Sequence, residues 1–129
     1  MPQELYKAIN PVDYLSYAET LISDDQTCCQ RTAADRAYYA AFLFWRNKLA
    51  TKYPELRSVT DAKVHKIVCE KLKIEIGSLA NDLRILRDAR NEATYNTDLI
   101  YLSDNGRACH INYMISAAKK LIGCSTNKL

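Results

Sequence analysis

The feature that most constrains the fold of this chain is a long run, residues 26–53, with the periodicity of a single helix. Apolar side chains recur there every three or four positions, the spacing that places them on one face of an α-helix. They are Ala34, Tyr38, Ala41, Trp45 and Leu49. Small residues alternate with aromatic rings, so a neighbouring helix can approach the alanines while the rings fill the space beside them. We therefore predict a long central helix that ends at Pro54.

Little in the rest of the chain interrupts helices. Three glycines and three prolines occur among 129 residues, fewer turn residues than sandwiches and barrels usually need. Periodicity and capping residues indicate four further helices, at about 11–22, from about 60, at about 79–95 and at 103–122. These patterns predict one all-α domain, 1–129, built as an up-and-down bundle of about five helices. Its core covers about 12–122, and its tails are short.

The expected connections between these helices are short. Residues 54–59 are predicted to form a loop, and residues 77–78 a break before the fourth helix. Residues 96–98 are a turn-forming cluster, and the apolar patch 99–102 fits either a loop or a helical extension. Short connections favour antiparallel neighbours, which is why a bundle is the expected architecture.

The cysteines and the lengths of the apolar segments indicate the cellular compartment of the protein and whether it binds a metal. The five cysteines are an odd number without a CxxC pair: Cys28, Cys29, Cys69, Cys109 and Cys124. We find no signal-peptide pattern, and no window approaches the roughly 18 apolar residues of a membrane span. We therefore expect a cytoplasmic protein with reduced thiols and no membrane partner. Because no ligand spacing suits a metal, we expect neither a metal nor another cofactor.

The charge is unevenly distributed along the chain. The net charge is +3, too small to argue for a nucleic-acid partner by itself. Residues 1–25 hold one lysine and five acidic residues, so the excess of positive charge lies in the remainder. A basic body of this kind is compatible with RNA, with an acidic partner, or with solvent alone.

One charged residue interrupts an apolar pattern. The leucine stripe of residues 79–86 continues, four positions on, at Arg90. A guanidinium on such a stripe keeps its charge, so it needs an anionic partner, a polar cleft or a subunit interface. A buried pair with Asp35 or Asp88, or a side chain that reaches solvent at the helix end, would also satisfy it.

Other polar and aromatic residues accompany this arginine. Asn91 follows at once, and Tyr95 lies four residues further on, on the same side of the helix. Arg36 is a second arginine beside aromatic residues, Tyr38 and Tyr39, and an exposed side chain would explain it equally well. The rings of the central helix are suited to stacking on bases, but their helical spacing favours a place in the core.

Three blocks of the sequence together resemble one family. Residues 36–42, Arg-Ala-Tyr-Tyr-Ala-Ala-Phe, resemble the Ser-Arg-Ala-Tyr-Tyr-Ala-Ala-Phe signature of the HEPN family, with Asp35 in place of the usual serine. Residues 64–66, Val-His-Lys, resemble the His-Lys that opens its third helix. Residues 90–95, Arg-Asn-Glu-Ala-Thr-Tyr, look like its Arg-Asn-x-Ala-Asp-Tyr block, with Thr94 in place of aspartate. The blocks fall in family order over about residues 12–122.

The resemblance implies a helical bundle that pairs into a homodimer, with the two arginine-bearing helices facing each other across a cleft. Many members of that family are metal-independent ribonucleases, often the toxin of a toxin–antitoxin or phage-defence system. Others are non-catalytic partners of a small nucleotidyltransferase. The resemblance therefore implies that Arg90 lies on the functional face of the domain.

The resemblance also implies a catalytic pair, which this chain lacks. Active members use an arginine and a following histidine that are separated by four to six intervening residues. Cleavage through the 2′-hydroxyl needs an acid or base near neutral pH, supplied by imidazole, and a fixed cation for the phosphorane. Residues 95–97 are Tyr, Asn and Thr, and tyrosine, with an ordinary pKa of about 10, suits that role poorly. His65 and His110 lie on other predicted helices, and His110 is the more plausible of the two to reach Arg90.

We therefore expect a binding role rather than catalysis. The predicted function is a toxin–antitoxin or defence-associated component that binds RNA, a nucleotide or a nucleotidyltransferase partner through a dimer cleft around Arg90. The residues expected to bind are Arg36, Tyr39, Asn91 and His110. The alternative is an active ribonuclease toxin, in which Arg90 is catalytic and Tyr95 or His110 supplies the acid or base.

Overall fold

The computed structural model describes residues 8–24, 26–59, 62–95 and 111–123. In these parts of the chain the secondary structure is entirely helical, which confirms the predicted all-α class. The α-helices are α1 (Pro11–Leu21), α2 (Thr27–Leu49), α3 (Lys63–Glu75), α4 (Gly77–Tyr95) and α5 (Ile111–Gly123). A short 3₁₀ helix, Pro54–Arg57, lies between α2 and α3.

The core is organised around α2, which contacts each of the other α-helices. Its alanines alternate with the buried rings of Tyr38, Phe42 and Trp45 as the sequence predicts, whereas Tyr39 and Phe44 are partly buried. The Trp45 indole Nε1 donates a hydrogen bond of 2.9 Å to the backbone carbonyl of Leu121 on α5. Because a buried indole N–H is costly to leave unpaired, this bond also fixes α5 against the centre of the bundle.

The start of α1 agrees with its predicted cap. Asn10 accepts a hydrogen bond of 3.1 Å from the Val12 amide, and Asp13 accepts one of 3.2 Å from the Asn10 amide. Pro11 occupies the first helical position, where its missing N–H costs nothing. The helix then packs Leu15 and Ala18 against the core.

The end of α2 differs from the prediction. The helix ends at Leu49 rather than Tyr53, and the predicted loop 54–59 contains the 3₁₀ helix. Pro54 disfavours the helical conformation at the residue before it, and Tyr53 has φ −123° and ψ 76°. The 3₁₀ turn buries Leu56 completely, so the packing of this side chain in the core fixes the connection between α2 and α3.

Helices α3 and α4 form a tight hairpin. The break falls at Ile76, with φ −146° and ψ 81°, and α4 begins at Gly77 instead of Leu79. Ile76 is buried, which explains why the chain turns there rather than at the glycine. The predicted opening of α3 at 60–61, the patch 99–102 and the last helix before Ile111 lie outside the described residues.

None of the helices in the described ranges is both long enough and apolar enough to cross a membrane.

Candidate functional site

Arg90 lies inside the bundle, as the leucine stripe predicts. It is 5% exposed, and Leu83 and Leu86 on the same stripe are buried. Three tyrosine rings surround its guanidinium carbon, with centroids 4.8 Å away at Tyr38, 5.2 Å at Tyr39 and 5.9 Å at Tyr95. Ring faces attract cations, by about 0.5–2 kcal/mol per contact. The aromatic residues of α2 therefore serve both as core and as the enclosure of a charge.

The pairing of Arg90 is incomplete. Its Nε lies 3.7 Å from Asp35 Oδ1, near enough for attraction but too far for a hydrogen bond. This buried Nε has no hydrogen-bond partner, and Nη1 donates only a long bond of 3.4 Å to the Tyr95 hydroxyl. Of the two acids considered from the sequence, Asp88 instead lies 3.9 Å from the exposed Arg84. The guanidinium is held in place, but part of its donor capacity is unused.

Arg36 shares the same carboxylate. It donates to Asp35 Oδ2 from Nε at 3.1 Å and also from Nη2. Its guanidinium carbon lies 5.1 Å from the Tyr39 centroid and 5.1 Å from that of Tyr14. Two arginines therefore contact one carboxylate and one tyrosine ring. We call Asp35, Arg36, Tyr38, Tyr39, Arg90 and Tyr95 the Arg90 cluster.

A surface groove opens beside this cluster, between the beginning of α2 and the end of α4. It encloses about 700 Å³, and its lining is Thr27, Cys28, Arg31, Thr32, Asp35, Arg36 and Thr94. Arg31 Nη1 donates a 3.1 Å hydrogen bond to the carbonyl of Ala93 near the end of α4. The buried Thr94 hydroxyl lacks a hydrogen-bond partner. Asp35 and Arg36 thus join the buried arginine to a solvent-accessible groove that carries two arginines and one aspartate.

The histidine next to the cluster is His65 on α3. Its Nδ1 lies 2.6 Å from the Tyr38 hydroxyl, and its ring stacks on Phe42 with centroids 4.3 Å apart. Burial, with the nearby charges of Arg87 and Arg90, lowers the pKa of His65 to about 4. Burial also raises the pKa of Tyr38, so Tyr38 donates and a neutral His65 accepts. Among the described residues, His65 is the histidine that lies beside Tyr38; the favoured His110 lies outside the described residues.

The other sequence-predicted residues differ in their involvement. Arg36, Tyr39, Arg90 and Tyr95 come together, and Tyr95 is 70% exposed at the end of α4. Asn91 is half-buried on α4 and takes no part in the contacts above. Sequence reasoning named Asp35 as one possible partner of Arg90 but missed that the same carboxylate also pairs with Arg36.

We compared the chain with models of protein families, with curated proteins and with solved structures, and none of the three comparisons found a match. Within the described residues, no three His, Cys, Asp or Glu side chains come together as a metal site would need. The side chains that the structure brings together at the site are two arginines, three tyrosines and one shared carboxylate.

Proposed function

We propose that this protein is a non-catalytic binding module of the HEPN type, which binds an RNA or nucleotide phosphate at the Arg90 cluster. The supporting observation is the incomplete pairing of a buried arginine: Arg90 has a buried, unbonded Nε and shares one carboxylate with Arg36. A buried cation is expensive unless it is fully paired. An anionic ligand would complete that pairing.

The groups around the cluster suit a nucleotide phosphate in particular. A planar guanidinium presents several donors in a fixed fork, which matches the oxygens of a phosphate. The groove adds two threonine hydroxyls, at Thr27 and Thr32, to this donor set. The exposed ring of Tyr95 offers a stacking face for a base. The proposed ligand therefore has its phosphate at the arginines and its base against the tyrosine.

Binding is favoured over cleavage because of the state of His65. A general acid or base works best with a pKa near the operating pH, whereas the pKa of His65 is about 4. Its Nδ1 is also occupied by the Tyr38 hydroxyl, so the imidazole supports the tyrosine rather than a substrate. Within the described residues, no imidazole with a near-neutral pKa faces Arg90.

The second candidate function is a metal-independent ribonuclease toxin. The observation that favours it is the 3.4 Å contact between Arg90 Nη1 and the Tyr95 hydroxyl, which places a fixed cation and a hydroxyl group side by side. In that case Tyr95 would exchange a proton with the reacting oxygen and Arg90 would stabilise the phosphorane. His110, the other acid or base considered, is not described.

The biological setting we propose is a toxin–antitoxin or defence system, as the resemblance implies. The domain would act as a homodimer, with the Arg90 clusters of two copies facing a common cleft, and a nucleotidyltransferase is the proposed protein partner. Light scattering on the purified chain tests the dimer, and a nucleotidyltransferase gene next to this one would support the pairing.

The binding proposal is tested by Arg90→Met, with the exposed Arg57→Met as the matched control. Methionine keeps most of the aliphatic volume and packs well on aromatic rings. We expect Arg90→Met to weaken binding of the dinucleotide pUpU at least about tenfold, or ~1.4 kcal/mol, while Arg57→Met binds like the wild type. Circular dichroism and light scattering on the same samples establish that fold and oligomeric state persist. Equal pUpU affinity in all three proteins, or none in any, contradicts the proposal.

Cleavage is tested separately from binding. We expect the purified protein to leave a labelled oligouridylate intact and its expression not to slow growth. Cleavage that disappears in both Arg90→Met and Tyr95→Phe would establish the ribonuclease alternative instead. Cleavage that survives both substitutions would indicate a contaminating nuclease.

A further inference from the structure

A second basic groove lies between α3 and α4 and plays no part in the site described above. It encloses about 820 Å³. The charged side chains along it are Lys63, Lys66, Glu70 and Lys73 on α3, and Arg84 and Arg87 on α4. Five of these six residues are basic, and we call this feature the α3–α4 groove.

The local sequence explains why these charges share one groove. On α3 they recur at intervals of three or four residues, the spacing of one helix face. On α4 the arginines follow Gly77 and Ala80 on the same face. The tight turn at Ile76 makes the helices antiparallel neighbours, so the two faces meet. A Cβ added at Gly77 would meet no atom within 4 Å, which shows that this end of the groove is open.

Basic side chains outnumber acidic ones in the described lining of the groove. Glu70 is the one acidic residue among the described residues that line it. Asp88 lies 3.9 Å from Arg84, but both side chains are about two-thirds exposed, at 66% and 63%, and exposed pairs of this kind attract weakly. Lys66 and Lys73 are exposed to solvent. The groove therefore presents a field that attracts anions.

Arg87 connects this groove with the Arg90 cluster. It lines the groove, and its buried Nε has no hydrogen-bond partner. Its charge also helps to lower the pKa of His65, the residue bonded to Tyr38. Arg87 precedes Arg90 by three residues, so the two arginines lie on neighbouring positions of one face of α4. The groove therefore leads toward the cluster.

We propose that the α3–α4 groove binds the sugar-phosphate backbone of single-stranded RNA and extends the site at the Arg90 cluster. The inference rests on the proposed function for the identity of the ligand. From Lys63 to Lys73 the helix rises about 15 Å, which accommodates several consecutive phosphates. None of the described residues that line the groove is aromatic, so this segment would contact phosphates and tolerate any base sequence, in contrast to stacking sites.

RNA fits the groove better than an acidic protein does. Protein interfaces depend on large aromatic or aliphatic anchors in buried pockets. The uncharged residues of this groove are small or polar: Ala62, Cys69, Gly77, Ala80 and Asn81. Cations on both walls and no apolar anchor suit a regular polyanion whose affinity comes from charge.

The test removes three groove cations together, in Lys66→Ala, Lys73→Ala, Arg84→Ala. All three side chains are exposed, so the fold should tolerate the change. The probe is a labelled oligouridylate of about 12 nucleotides, followed by fluorescence anisotropy at several salt concentrations. We expect affinity at low salt to fall at least tenfold. The slope of log affinity against log salt should decrease by about 2, because each phosphate contact to a single strand contributes about 0.7.

The matched control removes three cations elsewhere, in Lys48→Ala, Lys119→Ala, Lys120→Ala. Because the net charge changes equally, this control separates the groove from a general loss of charge. We expect its salt slope to stay within about 0.7 of the wild-type slope, the contribution of one contact. Equal losses in the two triple variants overturn the assignment of the groove.

A second probe distinguishes this inference from the proposed function. The dinucleotide pUpU is too short to fill both sites, so the groove variant should bind it like the wild type. If pUpU binds normally and the groove variant binds the long probe like the wild type, the proposed groove site is wrong and the Arg90 site stands. If the groove variant loses affinity for the long probe while no protein binds pUpU, the groove site is supported and the proposed phosphate site at Arg90 is wrong. If polyglutamate displaces the long probe when both are present at the same concentration of negative charge, the groove does not prefer RNA to an acidic polypeptide and the choice of RNA is wrong.

Discussion

The Arg90 cluster and the α3–α4 groove are both rich in arginine or lysine, but, apart from Arg87, they hold their charges in opposite ways. In the cluster, Arg90 is 5% exposed and surrounded by tyrosine rings. In the groove, Lys66 and Lys73 are exposed and face solvent. A charge fixed among rings costs desolvation but has one position and one orientation, whereas exposed charges cost little and act through their summed field.

This difference suggests a division of labour along one ligand. The cluster is suited to hold one phosphate in a defined geometry, and the groove is suited to attract and follow a chain. It also implies that substitutions in the cluster affect folding and binding together, while those in the groove affect binding alone. The predictions below test that contrast, beginning with the largest effect.

The largest effect is expected for Tyr38→Ala. Tyr38 is fully buried, lies under Arg90 and bonds His65. Removing a buried ring of this size costs about 3–5 kcal/mol of unfolding free energy. Urea denaturation of this variant beside Lys66→Ala measures the contrast. A loss below about 1 kcal/mol, the typical value for any substitution, would mean that the cluster does not belong to the core.

The next effect is the pH dependence that His65 confers. Its pKa is about 4 in the folded protein and about 6.5 when unfolded, so the unfolded state binds the extra proton as pH falls. Stability is therefore complete above about pH 7 and decreases below it, by about 1–2 kcal/mol at pH 5. The groups facing the imidazole are Tyr38 on α2 and Arg87 and Arg90 on α4.

The substitution His65→Gln isolates the contribution of His65 to the pH dependence of stability. Glutamine can still accept a hydrogen bond from Tyr38 but does not titrate. We expect the unfolding free energy of this variant, measured by urea denaturation, to vary less between pH 7 and pH 5 than that of the wild type. Parallel curves for the two proteins would contradict the depressed pKa.

An effect of similar size is expected for Tyr38→Phe. This change keeps the ring that supports Arg90 and removes the hydroxyl that donates to His65 at 2.6 Å. One lost hydrogen bond with a partly buried partner costs about 1–2 kcal/mol. The pKa of His65, followed by NMR, should rise because Nδ1 no longer accepts a hydrogen bond from Tyr38 and is free to bind a proton. An unchanged pKa would show that the bond does not control the imidazole.

The smallest effect on stability belongs to the groove. Lys66→Ala should change the unfolding free energy by no more than about 0.5 kcal/mol, as is usual for exposed sites. Chemical denaturation tests this directly. A loss as large as that of Tyr38→Phe would remove the contrast between the two regions.

The sequence predicted most of the fold because the apolar residues that recur at helical spacing are the ones that become buried. The stripe ending at Arg90 and the alternation along α2 both appear in the structure. The end of α2 was placed four residues too late, since Pro54 acts on the residue before it as well as on its own position. The break before α4 was misplaced because a buried isoleucine, Ile76, rather than the glycine, sets the turn.

The candidate site was harder to predict because it depends on contacts between helices. Periodicity identifies which face of α3 carries His65, but not that this face meets Tyr38 on α2. The lysines of α3 likewise share a face in the sequence, but their position opposite Arg84 and Arg87 follows only from the hairpin. Asp35 adjoins Arg36 in the chain, and its second contact, with Arg90, is tertiary.

The central claim is that Arg90 itself receives the phosphate, and NMR of the arginine Nε–H groups tests it most directly. The signal of Arg90 is assigned by its disappearance in Arg90→Met. We predict that titration with pUpU shifts this signal in a saturable way, with the same dissociation constant as calorimetry gives. If pUpU binds while the Arg90 signal stays where it was, Arg90 has a structural role and the proposed site is wrong.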